Sequence, residues 1–422
     1  MSPPASNPDV IENAQGRRQN AISLLLFLLI CAVFLVRFFV SPQIMNSFMR
    51  YTGESGAFYE KLHVGTYAIF ALVPLAFLVR PLFLSKADIP KVRALVYFIL
   101  WLGLLMALMF VLGRSGAAGY VVDSYVTAAA AGLLMFTVGE PVRRQIGNVV
   151  LATLMLSAVI GIFEALTEMR LLPYNVVELT FRPIGLSEHP LSLGMMCAVA
   201  IGFVAATRLA VPAKFGAILL FFIGTAAAEA RLATLLSVAA ILAILIAVPW
   251  TRLSVQQERK AKGVVLLVAL AGGAALVALL YAGGLLSRFS SSLFDENFFA
   301  RITIYEIFGY VSWREVIFGT DVLEILRLVN EKLGLPYIES TPVILIFQFG
   351  LPLALGFVGL VVYLFRTLLR DNQRPAFIAT ITFFLAALSN NALSTKTPAI
   401  AIMVVLLIAY ATAPPSRERP PG

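Results

Sequence analysis

The chain has 422 residues, of which 60% are hydrophobic and 13% are charged, and its formal net charge is +9. About a quarter of the residues of an ordinary soluble domain are charged, so this composition excludes that class and predicts an integral membrane protein. Apolar runs recur along nearly the whole length. Each crossing needs about 20 residues, so there is room for about twelve membrane helices.

The predicted fold class is therefore all-α, a polytopic membrane bundle in one domain. Residues 1–20 and 414–422 are rich in proline and polar residues and are predicted to be disordered tails, which leaves 21–413 as the membrane domain. The predicted spans are 22–40, 64–83, 94–112, 125–138, 148–166, 191–206, 213–228, 232–248, 263–285, 342–365, 376–388 and 399–411.

The distribution of charge between alternate loops predicts the orientation of the bundle. Lysine and arginine are retained on the cytoplasmic side during insertion. With the amino terminus inside, the inner segments hold 19 of the 32 basic residues and 7 of the 23 acidic ones. Both termini are thus predicted to be cytoplasmic, in a bacterial inner membrane, and the positive charge needs no nucleic-acid partner to explain it.

One connection on the predicted outer side, residues 286–341, is far longer than an ordinary loop and is expected to contain helices of its own. From Asp321 onward, apolar residues recur with the period of an amphipathic helix that lies on the membrane or on the bundle. These residues are Val322, Ile325, Leu326, Val329 and Leu333. The run 301–318 is a second helix candidate.

Three arginines stand in short segments on the outer side, where a membrane protein usually avoids positive charge: Arg182, Arg231 and Arg301. A cluster of this kind requires anions. The two cysteines fall inside predicted spans, and no acidic cluster has the spacing of a hard-cation site. We therefore expect no metal and no cofactor.

Several of these segments resemble the O-antigen ligase and polysaccharide polymerase superfamily. The run 182–190, with its arginine, glycine, histidine and proline, resembles a segment of that family. Further resemblances are the turn 229–231, the loop pattern from 301–306 to 317–319, and the run 341–351. Their order and sidedness make the likeness more specific than any one motif. It covers residues 181–365 well and the first five spans only by topology.

The resemblance implies a GT-C-like membrane glycosyltransferase. Its donor would be a glycan linked to polyprenyl pyrophosphate, its acceptor a second glycan or lipid-linked glycan, and its partners the bilayer and other polysaccharide assembly proteins. Arg182, Arg231 and Arg301 would bind the departing pyrophosphate, because a guanidinium bonds two phosphate oxygens at once. Glu339 or His189 would act as the catalytic base.

This chain departs from the family at one position. Many relatives carry a histidine just before the late span, where residues 337–341 stand here without one. The departure favours the exopolysaccharide branch over a strict O-antigen ligase.

Each assignment has a structural alternative. Arg182 could reach lipid phosphates, Arg231 could pair with Glu229, and Arg301 could be the exposed charge of a loop helix. His189 could cap the helix that follows it. Glu339 is chosen by position alone.

Two other function classes compete with the enzyme. A secondary transporter shares the layout of twelve spans, but the halves show no repeat, no unusual charge stands deep within a predicted span, and no central inner loop is enlarged. A noncatalytic component of a polysaccharide assembly complex is the third class.

Overall fold

The computed structural model describes residues 8–52, 58–80, 82, 84–114, 118–174, 180–249, 254–282 and 296–412. Within these ranges the regular structure is entirely helical. The helices are α1 (Pro8–Phe39), α2 (Val64–Val79), α3 (Ile89–Val111), α4 (Ala118–Met135), α5 (Glu140–Thr167), α6 (Pro190–Ala206), α7 (Val211–Ala227), α8 (Arg231–Ala247), α9 (Val255–Ala282), α10 (Glu296–Thr303), α11 (Trp313–Phe318), α12 (Val322–Leu333), α13 (Thr341–Phe349), α14 (Leu351–Leu369), α15 (Arg374–Leu388) and α16 (Ala399–Ala409). Short helices also form at Pro42–Asn46, Phe58–Lys61 and Ile304–Gly309.

The all-α fold class is confirmed for the described residues, and several apolar helices are compatible with a membrane protein. Among the described residues, five helices are long and apolar enough to cross a membrane: α3, α4, α5, α14 and the Gln19–Phe39 part of α1. Six shorter apolar helices, α2, α6, α7, α8, α15 and α16, fall where the apolar runs predicted spans. A full set of twelve crossings stays a prediction.

The structure differs from the sequence prediction at the amino terminus. Helix α1 begins at Pro8, so residues 8–20, expected to be disordered, are helical. Extending an existing helix costs less than starting one, so the apolar run that begins near Ile22 can carry the helix back into the polar segment. The predicted tail 414–422 lies outside the described residues.

Two short helices form the centre of the bundle. All 11 residues of α16 are buried, and α6 is buried along most of its length, against α5, α7, α8 and α15. Small residues allow this close approach. A β-carbon added at Gly194 would lie 2.4 Å from the β-carbon of Ala230, and one at Gly202 would lie 2.7 Å from that of Ala379.

The segment 389–398, between α15 and α16, lies in the interior rather than on the surface. Its residues Asn390, Ser394 and Thr397 are buried. A helix of 11 residues rises about 16 Å, roughly half the thickness of a bilayer's hydrocarbon core, so α16 cannot cross alone. Irregular backbone at such a depth is stable only where protein or a water-lined cavity satisfies its polar groups.

The long connection has a small hydrophobic core of its own. It is built from Ile304, Ile307, Val316, Ile325, Val329, Ile338, Val343 and Phe347. Helix α12 begins after Asp321, as predicted, and the Asp321 side chain accepts a hydrogen bond from the N–H of Leu323 at 2.9 Å. Ile325 and Val329 face this core, so α12 packs on the protein. The run 301–318 forms three short helical pieces instead of one helix.

The predicted span 342–365 is wrong as a single helix, because it breaks at Gly350 into α13 and α14. Gly350 has φ +81°, and a β-carbon there would lie 2.4 Å from the carbonyl oxygen of Ile317. Gly319, with φ +76°, lies against the same point, and the N–H of Thr320 donates to the carbonyl of Phe347 at 2.6 Å. Gly319 and Gly350 therefore allow the backbone of the long connection to contact the backbone between α13 and α14.

We expect Gly350→Ala to destabilise the fold by at least about 2 kcal/mol, because the added carbon meets backbone atoms and the left-handed conformation disfavours it. Gly359→Ala is the matched control. It lies in α14, nothing would lie within 4 Å of its new β-carbon, and alanine stabilises a helix interior by roughly 0.5–1 kcal/mol. Thermal unfolding of both variants in detergent measures the difference. Equal unfolding temperatures would contradict the close crossing.

Candidate active site

A buried glutamate holds the segment 182–189 against α5. Glu164 is fully buried, and its Oε2 accepts hydrogen bonds from the N–H groups of Ile184 at 2.9 Å and Gly185 at 2.8 Å. Its Oε1 accepts one from the N–H of Leu171 at 3.1 Å. The carboxylate thus satisfies backbone donors that have no partner in a helix or strand, which fixes the path of the loop.

Gly185 is required at this turn for two reasons. Its φ is +55°, and an added β-carbon would lie 2.4 Å from the carbonyl oxygen of Ser157. The next residue, Leu186, donates its N–H to the Ser157 hydroxyl at 3.0 Å. The glycine of the family-like motif is thereby explained by close approach to α5.

Arg182 lies beside the turn between α7 and α8. Its Nη2 donates to the carbonyl of Ala228 at 3.3 Å, and its own carbonyl accepts from Nη2 of Arg170 at 2.9 Å. The turn itself is tight, since Glu229 has φ +51°, and α8 begins at Arg231. The predicted motifs at 182–190 and 229–231 therefore meet at one end of the bundle.

His189 caps α6, as its structural alternative predicted. Its Nδ1 accepts a hydrogen bond from the N–H of Leu191 at 3.1 Å. Burial, and then the charge of Arg182, lower the pKa of His189 to about 4. The ring is therefore neutral at pH 7, and because Nδ1 is an acceptor, the proton is assigned to Nε2. In this form Nε2 can donate a hydrogen bond to an anion.

Arg301 and Glu339 pair with each other. Nε of Arg301 lies 3.3 Å from Oε2 of Glu339, and both side chains are about a third exposed, at 35% and 30%. The next residue, Ser340, donates its hydroxyl to the Tyr305 hydroxyl oxygen at 3.2 Å. The predicted base and one predicted phosphate ligand thus form an ion pair on the long connection.

The interior segment 389–398 connects these two groups of residues. On one side, the Thr341 hydroxyl donates to the carbonyl of Asn390 at 3.2 Å. On the other side, the Thr397 hydroxyl donates to Oε1 of Glu188 at 2.9 Å. Thr341, two residues after Glu339, and Glu188 of the segment 182–189 therefore bond to different parts of one buried polar segment.

The sequence analysis looked for charge deep within the predicted spans and therefore did not consider two charged residues near the ends of spans, which the structure buries. Asp123 in α4 is fully buried, and Arg37 near the end of α1 is 2% exposed. Asp123 accepts hydrogen bonds from the Tyr51 hydroxyl at 2.5 Å, the Thr66 hydroxyl at 2.6 Å and the N–H of His63 at 3.1 Å. Its position just before a run of alanines was the one signal that could have identified it.

Arg37 connects this cluster to the interior segment. Its Nε donates to the Thr66 hydroxyl oxygen at 3.1 Å, and its Nη2 donates to the carbonyl oxygens of Asp123 at 2.6 Å and Thr397 at 3.5 Å. Thr66 in turn donates to the Asp123 carboxylate, so a hydroxyl bridges the two opposite charges. We call Arg37, Tyr51, His63, Thr66 and Asp123 the buried hub.

Lys396 lies next to the buried hub. Its Nζ donates to the carbonyls of Tyr51 at 2.7 Å and Lys61 at 2.8 Å, and lies 4.4 Å from the centre of the Tyr51 ring. Burial lowers the pKa of Lys396 to about 8, opposed by the charge of Asp123 and assisted by those of Lys61 and Arg37. The end of the bundle that holds the buried hub thus has a second concentration of positive charge that the sequence analysis missed.

The opposite end carries a separate charged cluster. Nη1 of Arg143 lies 3.1 Å from Oδ2 of Asp88, and Nζ of Lys91 lies 2.9 Å from Oδ2 of Asp371. These residues line a cavity of about 360 Å³. They come from three segments predicted to be cytoplasmic. Arg143 and Glu164 are both in α5 and are 21 positions apart. The helix rises about 30 Å over that distance, which is the thickness of one bilayer hydrocarbon core.

The described residues define an all-helical protein with several apolar helices compatible with a membrane. Buried polar groups lie towards both ends of α5, and the predicted motifs 182–190 and 229–231 meet at one of these ends. Comparison with protein-family models and with curated proteins gives no match. The case for function therefore depends on the geometry of this end.

Proposed function

We propose that this protein is a membrane glycosyltransferase that polymerises or ligates oligosaccharide carried on polyprenyl pyrophosphate, on the outer side of the bacterial cytoplasmic membrane. The product would be an exopolysaccharide or O-antigen. One observation carries the proposal. The segment 182–189 docks on the turn before Arg231, about one bilayer thickness from the charged cluster of Arg143.

The chemistry suits these residues. When the acceptor hydroxyl attacks the anomeric carbon of the donor, the pyrophosphate leaves with several negative charges. A guanidinium stays charged at any physiological pH and donates two parallel hydrogen bonds to phosphate oxygens. Arg182 and Arg231 would supply this charge, and the Nε2–H group of His189 would add a neutral donor. Partial burial would strengthen each of these interactions.

Arg301 is the third proposed phosphate ligand. In this structure it is paired with Glu339, so binding a pyrophosphate there would require the guanidinium to exchange one anion for another. Such exchange is feasible because the pair is about a third exposed, where water screens the attraction.

The direct test is a transfer reaction with the purified protein in lipid nanodiscs. We expect a polyprenyl-linked oligosaccharide to be converted into longer chains or transferred to a second lipid-linked glycan. Donor that binds yet remains unaltered, with and without an added acceptor, would contradict the proposal and would favour a noncatalytic component of an assembly complex.

A secondary transporter is the second candidate, and the buried hub favours it. Ionisable residues inside a membrane bundle commonly mark ion or substrate pathways. Counterflow of labelled oligosaccharide in proteoliposomes tests this candidate. If the protein transports oligosaccharide, if Asp123→Asn abolishes that transport, and if no glycan transfer is detected, the transporter replaces the enzyme as the proposed function.

A further inference from the structure

Glu188 is the acidic residue of the segment 182–189, and sequence analysis gave it no role. Its Oε1 accepts hydrogen bonds from the hydroxyls of Ser192 at 3.0 Å and Thr397 at 2.9 Å. Its backbone carbonyl accepts from the side-chain amide of Gln43 at 3.1 Å. Among the described residues, no other residue donates a hydrogen bond to Oε2, and the N–H of Glu188 itself also bonds to the carboxylate. One carboxylate oxygen is therefore held in place while the other remains available.

The surroundings of Glu188 favour a carboxylate that can accept a proton. It lines a small cavity with Phe38, Ser187 and Met196. Burial raises the pKa of Glu188 above its usual value, although its hydrogen bonds and the charge of Arg37 act in the opposite direction. The charged or titratable groups near it are Arg37 from α1, Tyr51 of the buried hub and His189 in its own segment. The residues that face it from α6 and the 389–398 segment contribute hydroxyls.

The two bases predicted from sequence are less suited to this role. Glu339 is paired with the guanidinium of Arg301, so its Oε2 already accepts a hydrogen bond from a cation. His189 uses Nδ1 as the acceptor for its own helix and carries its proton on Nε2. Each is therefore occupied in a way that Glu188 is not.

We infer that Glu188 is the general base of the proposed transfer, and this inference rests on the proposed function. The acceptor oxygen forms a bond to the anomeric carbon of the donor while the bond from that carbon to the pyrophosphate oxygen breaks. The electron pair of the broken bond leaves with the pyrophosphate. The proton of the acceptor hydroxyl passes to Oε2 of Glu188, directly or through one water.

The test compares Glu188→Gln with Glu331→Gln, an exposed residue of α12. Glutamine keeps an oxygen for Ser192 and Thr397 but cannot take a proton. We expect Glu188→Gln to lower kcat for transfer at least about 100-fold, with donor binding and thermal unfolding unchanged. Glu331→Gln should match the wild type. In the wild type, kcat should fall as the pH drops through the raised pKa of Glu188, and this acidic limb should vanish in Glu188→Gln.

Three outcomes would overturn the inference. Glu188→Gln could keep kcat within about threefold of the wild type with the same acidic limb. It could lose donor binding as severely as transfer, which would indicate a positioning role. Alternatively, Glu339→Gln could remove the acidic limb instead. A wild-type protein that binds donor and transfers nothing would refute the proposed function itself, before any variant is compared.

Discussion

Arg182→Ala is expected to lower the rate of glycan transfer by about 10²–10³-fold, the usual effect of removing one group that stabilises developing negative charge. The physical reason is that the leaving pyrophosphate would lose a guanidinium held beside the α7–α8 turn. Arg182→Lys keeps the charge but loses the two parallel donors, so it should recover only part of the rate. The measurement is single-turnover transfer from a polyprenyl-linked oligosaccharide.

The matched control for this prediction is Arg208→Ala. Arg208 is exposed and lies just beyond the other end of α6, about 25 Å along the helix from His189. It should transfer glycan at the wild-type rate. If Arg208→Ala and Arg182→Ala lose activity equally, the effect is one of lost surface charge, and the site assignment fails.

Asp123→Ala is expected to cost about 3–5 kcal/mol of stability, because removing one member of a buried charged network leaves the others uncompensated. Tyr51, His63 and Thr66 would each lose an acceptor, and the charge of Arg37 would lose its bridged counter-charge. Thermal unfolding in detergent, with the yield of folded protein, measures the loss.

Asp321→Ala is the control for the hub. Asp321 is exposed and caps α12, so its removal should cost about 0.5–2 kcal/mol, the ordinary value for a helix cap. An Asp123→Ala protein that unfolds at the same temperature as Asp321→Ala would show that the buried hub does not hold this end of the bundle together. In that case its charges would be free to serve the transport pathway considered above.

The positions of most helices could be predicted from the sequence because they depend on local composition. The runs that form α6, α7, α8, α15 and α16 are apolar and bounded by polar or proline-containing segments, so their limits agree with the prediction within a few residues. Helix α12 has an amphipathic period and an aspartate cap, and both signals are local. The motifs at 182–190 and 229–231 could also be recognised from short stretches of sequence.

The break at Gly350 could not be predicted in this way. The run 342–365 is apolar throughout, and hydropathy alone describes one helix. The interruption depends on Gly319, 31 positions earlier in the chain, whose backbone occupies the space beside Gly350. A residue's neighbours along the chain carry no record of that contact.

The candidate site divides in the same manner. The sequence by itself determined the all-helical fold class, the positions of the apolar helices and the segments in which Arg182, His189 and Arg231 stand, because each follows from residue type and spacing. Only the tertiary structure decided that Glu164 holds the loop, that Arg301 pairs with Glu339, and that Glu188 keeps one carboxylate oxygen available. The physical reason is that hydrogen bonds and ion pairs need atoms within about 3–4 Å, and in this bundle those atoms come from chain positions up to several hundred residues apart.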